Sequence, residues 1–543
     1  MLLPRLGSHL SSRYLLSASR HRPVDVTVWR FYATTPGKRK PKEEKAEVAD
    51  RWNYNTSPLL PTVVDVSKLR LVTANELEAE TKPPVGVKML VRDFIEDSLY
   101  NPNYGYFPKQ ATIFETNKSS FDFPALRNSI EFQEEVAKKY AGYGSDRYDG
   151  PGRQLWHTPT ELFKPWYGQA IAQCVVSEYL LKYFPYEDFV IYEIGAGNGT
   201  LALNILDYLQ EAHPMVYERT RYNIIEISGS LVKIQKRRLL QAHPCVKITH
   251  QSIFHWKKRE PHPCYFIAME VADNFAHDVV RYDLDTMEPL QGLVTITEQG
   301  DFDIVYTPVT DPLISSTLGI RSSLRHNPPV NRFLRDSPFL RKAYTSLPFA
   351  PNLSKEEYIP TRLLSLLQTL RNHFPRHRLL LSDFSSLPDT IPGINAPVVQ
   401  TRFRNTTIPC STLLVKQGYF DIFFPTNFEH LRDMYEYLFS NPRRSKEPES
   451  ESDKENSNSR YNPLVSRSTS ALGSNFFSSR YPTDRRSPLD GVASSSGLPV
   501  GERKSNVFTH AEFLETYADL SKTRLRNGEN PLLDFYKNVK FLF

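Results

Sequence analysis

Apolar and polar positions alternate between strand-like and helix-like patterns, most densely over residues 166–300. Residues 189–193 are mostly apolar and β-favouring. They are followed by Ile194 and the turn Gly195-Ala196-Gly197-Asn198-Gly199. Leu201, Leu203, Ile205, Leu206 and Leu209 then recur at helical spacing. A strand, a glycine turn and a helix in that order form the first unit of a nucleotide-binding α/β sheet. The pattern predicts further strands over 222–227, 246–250 and 265–269, with a basic helix over 228–241. A helix over 166–183 leads into the glycine-loop strand. Upstream, 85–99 reads as an amphipathic helix, 75–80 as a short helix or turn, and 108–153 as an insertion with one helix near 129–141. Thr158 or Thr160 can cap a helix from 161. Downstream, 290–298 and 302–305 read as a hairpin, 310–350 as Pro- and Arg-rich irregular chain, 361–373 as a helix and 378–382 as a strand. Two late strands are expected around Gln417-Gly418 and a helix over 427–439. Segments 509–517 and 531–543 are amphipathic and expected to pack back on the domain. The expected fold class is α/β: a Rossmann-like sheet with a helical N-terminal lead-in and inserted segments.

Composition narrows the class. The 543 residues, 40% hydrophobic and 12% aromatic, can build one large domain with additions. The net charge of +6 is modest and concentrated near the N-terminus, so no nucleic-acid partner is implied. Cys174, Cys245, Cys264 and Cys410 form no C-x-x-C pair, which fits a reducing compartment. No apolar run reaches 18 residues, so no transmembrane segment is expected. Residues 1–40 carry Arg5, Arg13, Arg20, Arg22, Arg30, Lys38, Arg39 and Lys40 against one acid, Asp25, with serines interleaved. That is the composition of a mitochondrial transit peptide, a disordered basic tail being the plainer alternative. Cleavage is expected within 30–35. Residues 41–84 read as a linker, 85–440 as the main domain with its cofactor-binding core at 166–300, 441–506 as a disordered Ser/Arg-rich insertion, and 507–543 as the returning segment.

Candidate chemistry gathers at the strand ends. Glu193 precedes the turn, giving E-x-G-x-G-x-G. A loop that grips phosphate gains nothing from a carboxylate there. S-adenosylmethionine has no phosphate and carries an ammonium and a sulfonium, and a carboxylate at the loop mouth suits it. Gly195, Gly197 and Gly199 let the backbone approach such a ligand; an unliganded βα turn is the bland alternative. Glu226 ends the second strand, where a carboxylate can accept ribose hydroxyls; an ordinary exposed residue is its plain reading. Ser252, after the third strand, is a loose candidate for adenine. Glu270 and Asp273 follow the fourth strand, on the side where substrate would meet the methyl group; Asp273 could instead cap a helix. No residue is assigned to a metal.

These residues carry a resemblance. IYEIGAGNGTL resembles the E-x-G-x-G-x-GTL loop of the MidA-like methyltransferases. MLVRDFIEDSLYNPNYGYF, TPTELFKPWYG, IIEISGSLVKIQKRRL and MEVADNFAHDVV are similar, in the same order, to four further blocks of that family. The resemblance covers roughly 85–440, with a short return near 507–543. It implies a class I S-adenosylmethionine-dependent sheet and protein-arginine methylation of the symmetric type. It further implies a matrix protein acting in assembly of respiratory complex I, with a subunit of that complex as substrate and room for a homodimer. The chain departs from the pattern on the substrate side. The proline after the strand-four acid motif is absent, with His277 nearby. The D-Y-G motif is Ser382-Asp383-Phe384-Ser385. Residues 400–407 stand where an arginine-glycine and histidine block is expected, and a downstream D-L-T segment is not evident. A divergent branch is implied. A catalytically silent assembly factor on the same fold is the main alternative. An NAD-dependent dehydrogenase fits less well, because Glu193 would repel a pyrophosphate.

Overall fold

The computed structural model describes residues 66–110, 112–113, 121–142, 155–156, 158–388, 390, 396–403, 406–440 and 505–543. The expected transit peptide, the linker up to residue 65 and the insertion up to residue 504 lie outside the described residues. Strands are numbered here in chain order: β1 (Val87–Leu90), β2 (Phe189–Ile194), β3 (Thr220–Glu226), β4 (Val246–His250), β5 (Cys264–Met269), β6 (Asp278–Tyr282), β7 (Pro289–Ile296), β8 (Phe302–Pro308), β9 (Glu357–Ile359), β10 (His377–Phe384), β11 (Val398–Phe403), β12 (Thr406–Cys410), β13 (Asp421–Phe423), β14 (Val507–Thr509) and β15 (Val539–Leu542).

The main sheet runs β14-β15-β10-β5-β2-β3-β4. Five strands, β4 to β10 across the sheet, are parallel, and β15 is antiparallel to both its neighbours. β2 is buried along its whole length, which is why it reads as an unbroken apolar run rather than an alternating one. Its side chains still divide between faces. Phe189 and Ile191 enter one core with Ile171 and Val175 of helix Trp166–Lys182 and Leu201, Ile205 and Leu209 of helix Thr200–Ala212. Val190, Tyr192 and Ile194 enter another with Leu363, Leu367 and Leu370 of helix Thr361–His373 and Leu431 and Tyr435 of helix Phe428–Ser440. Each such side chain contributes about 1.5–3 kcal/mol by leaving water, and Ile191→Ala would cost about 2–5 kcal/mol. The chain leaves β2 toward β3 and β4, then crosses to β5 and β10 on the other side. The strand order therefore reverses between β2 and β5, and in such sheets ligands bind at that switch point, beyond the carboxyl ends.

A second sheet places Arg70–Leu71, β1, β7, β6 and β9 in that order, with β8 on β7. A third sets β11 between β12 and β13. Both share a core that includes Phe94, Ile95 and Leu99 of helix Val91–Tyr100.

Three expectations need correction. Residues 85–99 are not one helix. Val87 and Met89 point into the core while Lys88 and Leu90 are half-buried, so this stretch is β1, and the helix begins only at Val91. Residues 310–350 are not irregular. They hold helices Pro312–Ser323, Arg332–Asp336 and Pro338–Thr345, capped by the side chains of Asp311, Asn331 and Ser337. Two of the prolines in this stretch, Pro312 and Pro338, occupy first helical turns, where the missing N–H costs nothing. Around Gln417-Gly418 only one strand forms, β13. At the C-terminus β14 and β15 complete the main sheet, and helix His510–Tyr517 starts on a Thr509–Glu512 capping box.

Candidate active site

A cavity of about 600 Å³ opens at the carboxyl ends of β2, β3 and β5. Its lining includes Glu193, Gly195, Gly197, Glu226, Ser252, Glu270 and Asp273. Seven of the eight residues singled out in the sequence thus meet on one surface. Gly199 is not among the lining residues. It opens helix Thr200–Ala212 with φ +77°, and a Cβ there would stand 3.1 Å from Leu239 Cδ1, so it serves turn and packing.

The glycine loop is a backbone cradle. Gly195 and Gly197 hold φ of +66° and +53°. A Cβ on Gly195 would lie 3.0 Å from Val271 Cγ2. Gln235 fastens the cradle. Its Nε2 donates to Gly197 O at 2.8 Å and to Glu226 Oε2 at 3.0 Å. The other Glu226 oxygen accepts from Ser228 N at 2.9 Å. Burial raises the proton affinity of Glu226, and these hydrogen bonds oppose the rise. Glu193 does not stand at an open mouth as expected. It is buried beneath the loop, where Tyr222 Oη donates to Oε2 at 2.8 Å. Burial pushes its carboxyl up to about 7. Ser252 caps the turn Ile253–His255, accepting from Phe254 N at 3.3 Å.

The far end is acidic. Glu270 follows β5 with φ +53°, half-buried, and its carboxylate has no hydrogen-bond partner among the described residues. Asp273 is buried, and its Oδ1 has no partner. Behind the wall, Asp383 at the end of β10 accepts from Ala272 N at 2.8 Å and Asp273 N at 3.0 Å. Asp421 at the start of β13 accepts from Asn274 Nδ2 at 3.3 Å through Oδ1, while its Oδ2 is unpartnered. Burial, reinforced by the neighbouring carboxylates, drives Glu270 and Asp273 well above the ordinary range. Burial alone lifts Asp383 to about 7 and Asp421 to about 8, against the hydrogen bonds they accept. Asp273 is therefore not a plain helix cap: no helix follows it, and it belongs to a desolvated carboxyl cluster. His277 lies apart from this chemistry, stacked on Phe424 at 3.9 Å and held to about 4 by burial.

Helix Val91–Tyr100 supplies the facing wall. Tyr100 stacks on Phe107 at 5.2 Å and donates to Asn274 O at 3.2 Å. Glu96 accepts from Arg362 Nε at 2.7 Å, and the guanidinium lies 5.2 Å from the Phe254 ring.

A family profile described as “Putative S-adenosyl-L-methionine-dependent methyltransferase” matches residues 170–441, half of the chain. The chain belongs to this methyltransferase family. A protein of Schizosaccharomyces pombe, “Protein arginine methyltransferase NDUFAF7 homolog, mitochondrial”, is 26% identical over 323 residues, 58% of this chain and 67% of its own. A superfamily protein of Burkholderia thailandensis, in a crystal structure bound to S-adenosyl-homocysteine, shares 15% identity, covers 69% of this chain and 78% of its own, and superposes with a TM-score of 0.41. The native form of a superfamily protein from the same organism gives 14%, 69%, 77% and 0.40.

The family's cofactor is S-adenosyl-L-methionine, and the residues present fit it. A Cβ at Gly195 would stand 3.0 Å from Val271 Cγ2, the carboxylates of Glu193 and Glu226 suit a cationic nucleoside, and the volume lies within the range of small-molecule sites. Sequence reasoning missed Gln235, Asp383, Asp421 and Tyr100. Gln235 had a signal, since it is the glutamine of the block IIEISGSLVKIQKRRL; Asp383 is the acid of the altered D-Y-G motif. Asp421 had none that spacing alone could supply.

Proposed function

We propose that this methyltransferase acts in the mitochondrial matrix on protein arginine, dimethylating it symmetrically, in the service of respiratory complex I assembly. The observation that carries the reading is a pair of carboxyl groups lining the cavity, Glu270, without a hydrogen-bond partner among the described residues, and Asp273, whose Oδ1 is buried and unpartnered. The Schizosaccharomyces pombe relative's name and the Arg-rich, acid-poor N-terminus support it further. A complex I subunit is the substrate this reading implies.

When bound, the cofactor supplies a methyl group on a sulfonium, open to in-line displacement. The chain's part is to hold, orient and neutralise. Gly195, Gly197 and Gln235 fix the cradle, and Glu226 accepts the ribose hydroxyls. An arginine side chain keeps its proton in water, its pKa exceeding about 12. Burial biases Glu270 and Asp273 toward the protonated form, and an arriving guanidinium favours their ionised form, because an adjacent cation stabilises the charged carboxylate. Held by one carboxylate, the guanidinium localises its charge and leaves the far nitrogen better able to attack. The other carboxylate can take the proton released. Alignment of this kind is the main lever in such displacements.

The test is methyl transfer from labelled cofactor to mitochondrial proteins, with hydrolysis and separation of methylated arginines. Label in symmetric dimethylarginine is expected. Glu270→Gln should leave cofactor affinity within about threefold and cut transfer by about 10²–10⁴-fold. Cofactor binding without label in any arginine would sink the reading and put the silent assembly factor in its place.

A further inference from the structure

Residues 330–349 carry large apolar side chains on the outside. Helices Arg332–Asp336 and Pro338–Thr345 contain no buried residue. Leu334 and Tyr344 turn inward, onto the small core around Val280 and Ile314. Phe333, Phe339 and Phe349 turn outward and are 71%, 79% and 103% exposed, with Leu340 and Leu347 also in solvent. Scattered exposed hydrophobics need no explanation, but five within one short segment do. Phe349 also holds φ +66°, a conformation bulky residues avoid. No burial of its ring offsets that strain, so the strain points to a use outside the fold.

Charge selects the occupant. Residues 321–349 contain Arg321, Arg325, Arg332, Arg335, Arg341 and Lys342 against a single acid, Asp336. Arg321 is taken by Glu357, and Arg341 by backbone carbonyls. Arg325 and Lys342 are exposed, and Arg332 is only loosely tied to Asp336 at 3.4 Å. Aromatic and leucine tips set among cations are the composition that seats on an anionic lipid interface. Phe333, Phe339 and Leu340 stand on two short helices and Leu347 and Phe349 on the turn beyond them, an arrangement that a fluid interface accommodates without shape complementarity. We infer that the 330–349 face docks this protein on the surface of an anionic phospholipid bilayer. Among the described residues no helix is long and apolar enough to cross a membrane. This inference does not rest on the arginine reading.

The experiment is flotation of the full chain with vesicles of phosphatidylcholine mixed with phosphatidylserine, against pure phosphatidylcholine, at low and high salt. Binding to the mixed vesicles, weakened by salt, is expected. Arg332→Gln with Lys342→Gln should lower the partition constant about 25-fold, at about fivefold per cation. Phe339→Ser with Phe349→Ser should abolish flotation while cofactor affinity, read by calorimetry, stays unchanged. Absence of flotation with the mixed vesicles, or flotation indifferent to both double variants, overturns the inference. So does a loss of self-association in the phenylalanine variant without any vesicle binding, which would make the face a contact between copies.

Discussion

Asp421 offers the sharpest test of the acidic end. Its Oδ2 is buried without a partner, and burial moves its carboxyl from 3.8 to about 8. A carboxyl that holds its proton more tightly in the folded chain than in the unfolded one makes the fold less stable as pH rises. Below about pH 4 both states are protonated and nothing is lost. Between about pH 4 and 8 the unfolded chain ionises while the native state does not, and above about pH 8 the penalty is complete. A move from 3.8 to about 8 sets its ceiling near 6 kcal/mol, at about 1.4 kcal/mol per tenfold in proton affinity. Asp421→Asn keeps the volume and the Oδ1 acceptor for Asn274 and removes the charge. The new amide must itself be buried, which costs about 2 kcal/mol at every pH, so we expect a net gain of up to about 4 kcal/mol above pH 8 and a net loss of about 2 kcal/mol at pH 4. Urea unfolding of both proteins across that range, followed by tryptophan fluorescence, measures it. A difference that does not vary with pH, or a variant less stable than the parent above pH 8, would refute the argument. The same variant removes one carboxylate from beside Asp273, so the rising limb of the transfer-rate profile should move to lower pH.

Three further outcomes follow from the cradle. Gln235→Met removes the hydrogen bonds to Gly197 O and Glu226, worth about 1 and about 2 kcal/mol, while keeping the volume; calorimetry should show cofactor affinity lower by about 10–100-fold, and unchanged affinity would count against the fastening role. Gly195→Val must adopt φ +66° with its Cβ 3.0 Å from Val271, so binding should vanish while far-ultraviolet circular dichroism stays native; retained binding would mean that the loop is not the cradle. Burial holds Glu193 at about 7, and a cationic ligand favours its ionised form. Affinity should therefore rise as pH approaches 7 and level off above it, with proton release on binding below pH 7, read from calorimetry in buffers of different ionisation heat.

What the sequence discloses and what it hides divide along a physical line. β2, the glycine turn and Glu226, Glu270 and Asp273 were legible because each depends on a local pattern: an apolar run, a backbone that must turn, a residue just past a strand end. β1 was not, because Val-Lys-Met-Leu fits either period over so few residues, and what decides it is pairing with β7, some two hundred positions later. The acidic cluster is the stronger case. Asp273 stands beside Asp383 and Asn274 beside Asp421, contacts spanning 110 and 147 positions. Spacing cannot announce such a meeting, and a stability criterion would argue against it, since like charges brought together out of water oppose folding. The sheet can hold them there because its two apolar cores are formed by other residues. Asp383 is anchored by the backbone of Ala272 and Asp273, so the loop after β5 is fixed by a group that does not line the cavity. A carboxyl cluster that burial holds toward its protonated form and that an entering cation ionises is a preorganised binding site for that cation. On that argument, the features least readable from the sequence are those most directly tied to the proposed substrate.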